Sequence, residues 1–356
     1  MPTHPLSPGK FWGLRRLADA DGRFKMLAVD QRPPIKNLIK DRRGVDEAPY
    51  EDVSAVKQAL VAELAPYASA VLLDPHVAYP QGVHLVSPAQ GIILTLEDSI
   101  FVETPEGRLS AEIQDWNVPK IKRIGGDAVK VLAWYRPDAG PSVLLHQKDF
   151  VKRVGDACAK YDLPYVFELL VYPLARDAHQ TTDYIEHQDK RPDRVLESVE
   201  TFADATYGVD LFKLESPIPA ADVPDPDTAD AAATAATQRL FNRLGTAAGR
   251  PWVMLSAGAG MEAFRRVCVY AYRAGASGYL AGRAIWWQAF QAFPDVPAMR
   301  DQLRREGAAY MQSLNALTDA HATPWTEHPL YAPQGPQLAG RGTQFRESTP
   351  AFEPES

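Results

Sequence analysis

The sequence predicts a parallel (β/α)₈ barrel, and three observations carry that expectation. Eight short, almost unbroken apolar runs recur along the chain, amphipathic segments of helical length separate several of them, and chemistry-bearing polar residues sit inside or at the carboxyl ends of the runs. A strand covered on both faces loses the apolar/polar alternation of a half-solvated sheet, so continuous runs imply a parallel sheet buried under helices. A doubly wound open sheet is the competing architecture. It requires a Gly-rich turn after the first strand, where this chain has Asp30-Gln31-Arg32-Pro33-Pro34.

Phe11, Trp12, Leu14, Leu17 and Ala18 fall at helical spacing and predict a helix within 7–20, ahead of the first strand. The strand runs are 24–30, 70–74, 91–96, 128–132, 165–171, 209–215, 251–256 and 278–282. Helices are expected over 50–67, 148–161, 191–205, 228–244 and 261–274, with a further one over 297–317 after the pattern thins beyond Phe290. The expected organisation is one barrel domain, 1–322, including the N-terminal helix, and a Pro-rich tail, 323–356, that packs over the barrel or is partly disordered.

A chain of 356 residues accommodates a single α/β barrel. A net charge of -7 argues against nucleic-acid and anionic-membrane partners while leaving room for a phosphate held by a few placed arginines. Cys158 and Cys268 offer neither a disulfide framework nor metal-ligand spacing and read as buried fillers in a reducing compartment. The opening residues lack the apolar run of a secretory signal and no segment approaches a membrane span, so a soluble, cytoplasmic protein is expected. Aromatic content around Trp286-Trp287 suggests a subunit contact and a homo-oligomer.

The chemistry begins at Lys213, flanked by Phe212 and Leu214 in an apolar run. Burial favours the uncharged amine, and an uncharged lysine is the nucleophile of Schiff-base chemistry; the bland alternative is a structural pair with a carboxylate. Lys130 and Glu168 are embedded in neighbouring runs, and unpaired buried charges are costly, so the three are expected to meet in one polar pocket. Two lysines around one glutamate would leave one amine inclined to lose its proton, with Glu168 as general acid/base. Asp30 and Ser256 occupy equivalent positions on the first and seventh runs. Ser256-Ala257-Gly258-Ala259-Gly260 and Gly282-Arg283 follow the last two strands, where barrels commonly build phosphate sites from backbone N–H groups and an arginine.

Together, Ala28-Val29-Asp30-Gln31-Arg32, Leu73-Asp74-Pro75, Tyr135-Arg136-Pro137-Asp138, Asp210-Leu211-Phe212-Lys213-Leu214-Glu215, Leu255-Ser256-Ala257-Gly258 and the block from Ala274 to Ala284 resemble the class I tagatose 1,6-bisphosphate aldolases. The related sulfofructose 1-phosphate aldolases are a second branch. The likeness runs in order from about residue 9 to residue 290. It implies a metal-free, cofactor-free Schiff-base aldolase acting on a sugar phosphate: Lys213 forms the covalent link, Glu168 moves the proton, and Asp30, Gln31 and Lys130 line the reacting carbons. Ser256, Gly258, Gly282 and Arg283 would hold the 1-phosphate and Arg32 would contribute to substrate binding. The sequence departs from the family at Pro33-Pro34, beside the distal subsite, and in the connectors 175–190 and 218–250 and the tail, all expected to flank the barrel mouth. His179 and His187 read as rim residues. A metal-dependent aldolase built around His76 and a sugar-phosphate sensor without turnover are the rival readings.

Overall fold

The computed structural model describes residues 4–174, 177, 187 and 189–352. Each of the eight apolar runs contains one strand: β1 (Phe24–Ala28), β2 (Ala70–Leu73), β3 (Gly91–Thr95), β4 (Ala128–Trp134), β5 (Tyr165–Leu170), β6 (Leu211–Leu214), β7 (Trp252–Met254) and β8 (Gly278–Ala281). All are parallel, each pairs with its predecessor, and β8 closes the barrel against β1.

Side chains alternate across a strand, so each run divides between two surroundings. Leu27, Val71, Leu94, Val129, Phe167, Phe212 and Met254 join the large outer core shared with the helices. Met26, Leu72, Ile93, Ala128, Val166, Leu211, Val253 and Leu280 form a separate inner cluster. That cluster continues below the strands into Leu14 and Leu17 of the helix Pro8–Leu17, and into Trp325 and Tyr331. Leu6 N–H donates to the Gln337 carbonyl at 2.8 Å and Ala339 N–H to the Leu6 carbonyl at 2.7 Å, tying this part of the tail to the start of the chain. The tail therefore packs on the amino-terminal end of the barrel, away from the mouth that it was expected to flank.

The expected helices form as Pro8–Leu17, Tyr50–Leu64, Pro141–Lys160, Pro192–Phe202, Ala231–Ala248 and Met261–Arg273. The last expected helix is divided into Val296–Gln302 and Ala308–His321 by a π-helical turn, Leu303–Gly307. Two helices at the mouth were not anticipated, Pro33–Arg43 and Arg283–Phe290. Pro33 and Pro34 occupy the first helical positions, where a missing N–H costs nothing, so the proline pair launches a helix and does not merely interrupt the chain.

A hairpin of Val102–Thr104 and Gly107–Leu109 also escaped the sequence reading. Its Arg108 guanidinium lies 4.3 Å from the Phe101 ring centre, 4.7 Å from that of Trp134 and 4.9 Å from that of Tyr172, which holds the hairpin over the ends of β4 and β5. Cys158 and Cys268 are buried, and burial pushes the Cys268 thiol up to about 12. Among the described residues no helix is long and apolar enough to cross a membrane.

Candidate active site

Above the apolar inner cluster the same alternation delivers charge. Register sets Thr95 beside Lys130 and Glu168 beside Lys213, with Lys130 opposite Val166, one inward position below Glu168, so the polar residues of β3 to β6 come within reach of one another. Lys213 Nζ lies 2.8 Å from Glu168 Oε2, with only 4% of Lys213 and 6% of Glu168 exposed. Lys130 Nζ contacts the same Glu168 oxygen at 2.9 Å, Asp30 Oδ2 at 3.0 Å and Glu97 Oε1 at 2.6 Å.

The three groups expected to meet do meet, but not alone. Three carboxylates, Asp30, Glu97 and Glu168, surround Lys130, and Arg32 joins from the rim, donating to the Glu97 carbonyl at 2.9 Å and approaching its carboxylate at 3.6 Å. Thr95 Oγ1 donates to the other Glu97 oxygen at 2.7 Å. Lys130 and Lys213 share Glu168 as expected, but with Asp30, Glu97 and Arg32 included the cluster, contrary to expectation, holds no cationic excess that would by itself expel a proton. Glu97 is the residue the sequence reading missed. It carries the signal that singled out Asp30, an acid directly after an apolar run, but followed by Asp98 it passes for the start of a polar loop.

Burial alone would raise the Asp30 carboxyl, but Lys130, Lys213 and Arg32 outweigh it and hold that group at about 2. Glu168 follows the same pattern: burial raises it, Lys130 and Lys213 lower it further, and the net direction is down despite opposition from Asp30. Burial would lower Lys130, yet Asp30, Glu168 and Glu97 carry it well above the usual lysine range. The carboxylates around Lys130 thus favour its charged form, the two lysines favour the charged form of Glu168, and Glu168 Oε2 stands against Lys213 Nζ.

One pocket at the carboxyl end of the strands is lined by Asp30, Gln31, Arg32, Lys130, Glu168 and Lys213 on one side and by Ser256, Gly282 and Arg283 on the other. Gln31 Oε1 is buried without a hydrogen-bond partner among the described residues, an acceptor turned into polar surroundings. Gly282 is required here, because an added Cβ would lie 2.5 Å from the Ala28 carbonyl and 2.7 Å from Gln31 Nε2. Arg283 is the first residue of the helix Arg283–Phe290, so the start of that helix stands at the pocket wall.

Gly258 is set apart from the other predicted residues. It lies in an adjoining hollow with Pro34, Asn37 and Trp287, joined to the main pocket through Arg283. Ala257 at φ 45° and Gly258 at φ 84° turn the chain sharply after Ser256, with Ala259 N–H returning to the Ser256 carbonyl at 2.7 Å. Left-handed backbone at a non-glycine residue is a strained feature typical of functional loops.

Other sequence expectations require correction. Trp286 is fully buried and donates from Nε1 to the Ala28 carbonyl at 3.1 Å, so it supports the β1 end of the pocket, while its neighbour Trp287 is half-buried. His187 is 2% exposed and is not a rim residue; burial lowers its basicity, and Arg136 adds to that. His179 lies outside the described residues. His76 is exposed and is not among the residues lining the pocket; its backbone N–H donates to Asp74 Oδ1 at 3.0 Å. Among the described residues no grouping of three His, Cys, Asp or Glu side chains could hold a metal ion.

Comparison with known proteins adds an independent finding. The profile of the DeoC/LacD family aldolases matches residues 24–288. Tagatose 1,6-diphosphate aldolase from Listeria monocytogenes serotype 4a is 32% identical over 326 residues, which span 90% of this chain and 94% of that protein. Tagatose 1,6-diphosphate aldolase 2 from Enterococcus faecalis is 33% identical over 326 residues, 90% of this chain and 96% of that one. Among solved structures, a Schiff-base-forming fructose-1,6-bisphosphate aldolase superposes with a TM-score of 0.56 at 18% identity, covering 86% of this chain and 98% of its own. Fructose-bisphosphate aldolase from Plasmodium falciparum gives a TM-score of 0.58 at 14% identity, with 88% and 96% covered. At that identity the structural likeness speaks for the barrel.

Proposed function

The chain belongs to the DeoC/LacD family of aldolases, carbon–carbon lyases, and from that premise we propose that it cleaves a ketose bisphosphate of the tagatose 1,6-bisphosphate type through a Schiff base on Lys213. The observation that carries the proposal is the buried contact of 2.8 Å between Lys213 Nζ and Glu168 Oε2 within the pocket. An amine must lose a proton before it attacks a ketone, and Glu168 is in hydrogen-bond reach to accept it.

In this mechanism the Lys213 amine attacks the C2 ketone, and the proton Glu168 took from Lys213 passes to the carbinolamine hydroxyl, which leaves as water to give an iminium and restores the Glu168 carboxylate. Glu168 takes the proton of the C4 hydroxyl as the C3–C4 bond breaks. The aldehyde leaves, and the bonding electrons pass to C3 to form an enamine. Protonation of C3 and hydrolysis of the regenerated iminium release dihydroxyacetone phosphate and restore Lys213. Lys130, a fixed cation, stabilises the charge that develops on oxygen, and Asp30 keeps Lys130 in place. Gln31 orients a substrate hydroxyl, while Ser256, Gly282 and Arg283 hold the 1-phosphate so that the carbonyl faces the amine. Arg32 and the start of the helix Pro33–Arg43 border the distal end of the sugar.

Borohydride reduction with tagatose and fructose bisphosphates, followed by peptide mass spectrometry, tests this directly. The expected product is a reduced adduct on Lys213 that disappears in Lys213→Met. An adduct that persists in that variant overturns the assignment. The same panel reports which sugar is accepted.

A further inference from the structure

Strand β6 is only four residues long, Leu211–Leu214, yet it must present Lys213 against Glu168 of β5 within hydrogen-bond distance. An acidic residue brackets it on each side, and each does the same thing to β5. Below the strand, Asp210 Oδ2 accepts the Tyr165 N–H at 2.8 Å and pairs with Lys10 at 2.7 Å. Above it, Glu215 Oε1 accepts the Val171 N–H at 2.6 Å and Oε2 pairs with Lys190 at 3.0 Å. Ladder pairing between β5 and β6 is last recorded at Leu169 and Leu214, so the upper carboxylate replaces the rung that the diverging backbones no longer supply.

We propose that Glu215 is a positioning residue for the Schiff-base step: its carboxylate, held by Lys190, staples the open ends of β5 and β6 and thereby fixes Lys213 against Glu168. The inference rests on the Schiff-base reading above. Glu215 is not among the residues lining the pocket and acts only through the strands. Glu215 is 2% exposed and the Lys190 side chain is fully buried, so neither end of the staple can be replaced by water without rearrangement. The position of the staple gives it a catalytic consequence. It lies two residues beyond Lys213 on β6 and binds β5 three residues beyond Glu168, past the last recorded ladder pair of the two strands. Asp210 makes the equivalent link at the filled end, where the inner apolar cluster already holds the strands together.

The two staples therefore serve as test and control. Glu215→Gln, Lys190→Met and the neutral double variant are compared with Asp210→Asn for melting temperature, kcat, KM and the rate of borohydride trapping on Lys213. A misplacement of about 1 Å costs up to roughly a hundredfold in rate, so Glu215→Gln and Lys190→Met are expected to lower kcat and the trapping rate by about ten- to a hundredfold, with KM changed by less than about threefold. Asp210→Asn is expected to lower the melting temperature and leave kcat per folded molecule unchanged. The double variant, which removes the buried charge imbalance, is expected to regain stability but not kcat. Equal kcat in the Glu215 and Asp210 variants, or losses that follow only the folded fraction, would overturn the inference. A wild-type chain that gives no adduct on Lys213 would instead bring down the Schiff-base reading, and this inference with it.

Discussion

The two ends of the barrel are built from the same eight strands and are held together in opposite ways. At the amino-terminal end the inward residues are Met26, Leu72, Ile93, Val166, Leu211 and their neighbours, sealed by Leu14, Leu17, Trp325 and Tyr331. Two residues further along the strands, beyond Ala28, Ala128, Val166 and Leu211, the inward positions become Asp30, Lys130, Glu168 and Lys213, closed among themselves by ion pairs of 2.8 to 3.0 Å. Apolar burial is non-directional and tolerates small displacements, whereas a buried ion pair stabilises only when its geometry is good. The filled end can therefore supply stability to the whole barrel, and the charged end is left to hold a geometry.

This contrast is broken most severely by altering one residue at each end. Lys213→Met is expected to abolish cleavage, by roughly 10⁴-fold or more, because the other lysine of the pocket wall, Lys130, is tied as a cation to Asp30, Glu97 and Glu168. Its melting temperature should stay close to that of the parent, since Glu168 keeps Lys130 as a partner at 2.9 Å. Differential scanning calorimetry beside a coupled aldolase assay reads both; a large loss of stability would show that the site supports the fold after all.

Trp325→Ala is expected to do the reverse. Removing a buried indole from the sealing cluster should cost about 3–5 kcal/mol of stability while kcat per folded molecule is retained. Urea unfolding and kinetics below the transition would measure it, and a matching loss of kcat would mean that the lower seal reaches the site.

The ends should also separate on the pH axis. His328 sits beside Trp325 and Tyr331, where burial, aided by Arg250, lowers it from 6.5 to about 4. The unfolded chain then binds a proton that the folded chain refuses, so stability falls as pH drops from 6.5 towards 4. Asp30 is lowered from 3.8 to about 2, so its contribution is complete above 3.8 and is lost only as pH falls towards 2. Acid should therefore loosen the apolar end before the charged one. In His328→Gln the stability decline between pH 6.5 and 4 should be reduced, the smallest effect of the series, measurable by thermal melts across that range. An unchanged decline would assign it to other groups.

How much of this was legible beforehand varied by feature, for physical reasons. Each of the eight runs announced a strand because burial on both faces leaves a nearly unbroken apolar signal. The helices Pro33–Arg43 and Arg283–Phe290 were hidden because each starts immediately behind a strand, with no apolar spacing to mark it before the pocket-lining residues end. The hairpin was hidden because one of its strands exposes Val102 while Arg108, a charged residue, is buried under aromatic rings. Glu97 was overlooked for a related reason: its acidic neighbour Asp98 made it look like loop.

The sequence by itself determined the barrel and the lysine, since desolvation cost and strand periodicity are properties of a residue and its immediate neighbours. Only the tertiary structure decided the charge balance of the pocket, the placement of the tail at the sealed end and the separation of Gly258 from the other predicted residues. Those depend on which strands become neighbours when the sheet closes, and on distances between groups as far apart in the chain as Asp30 and Lys130, which no local pattern can encode.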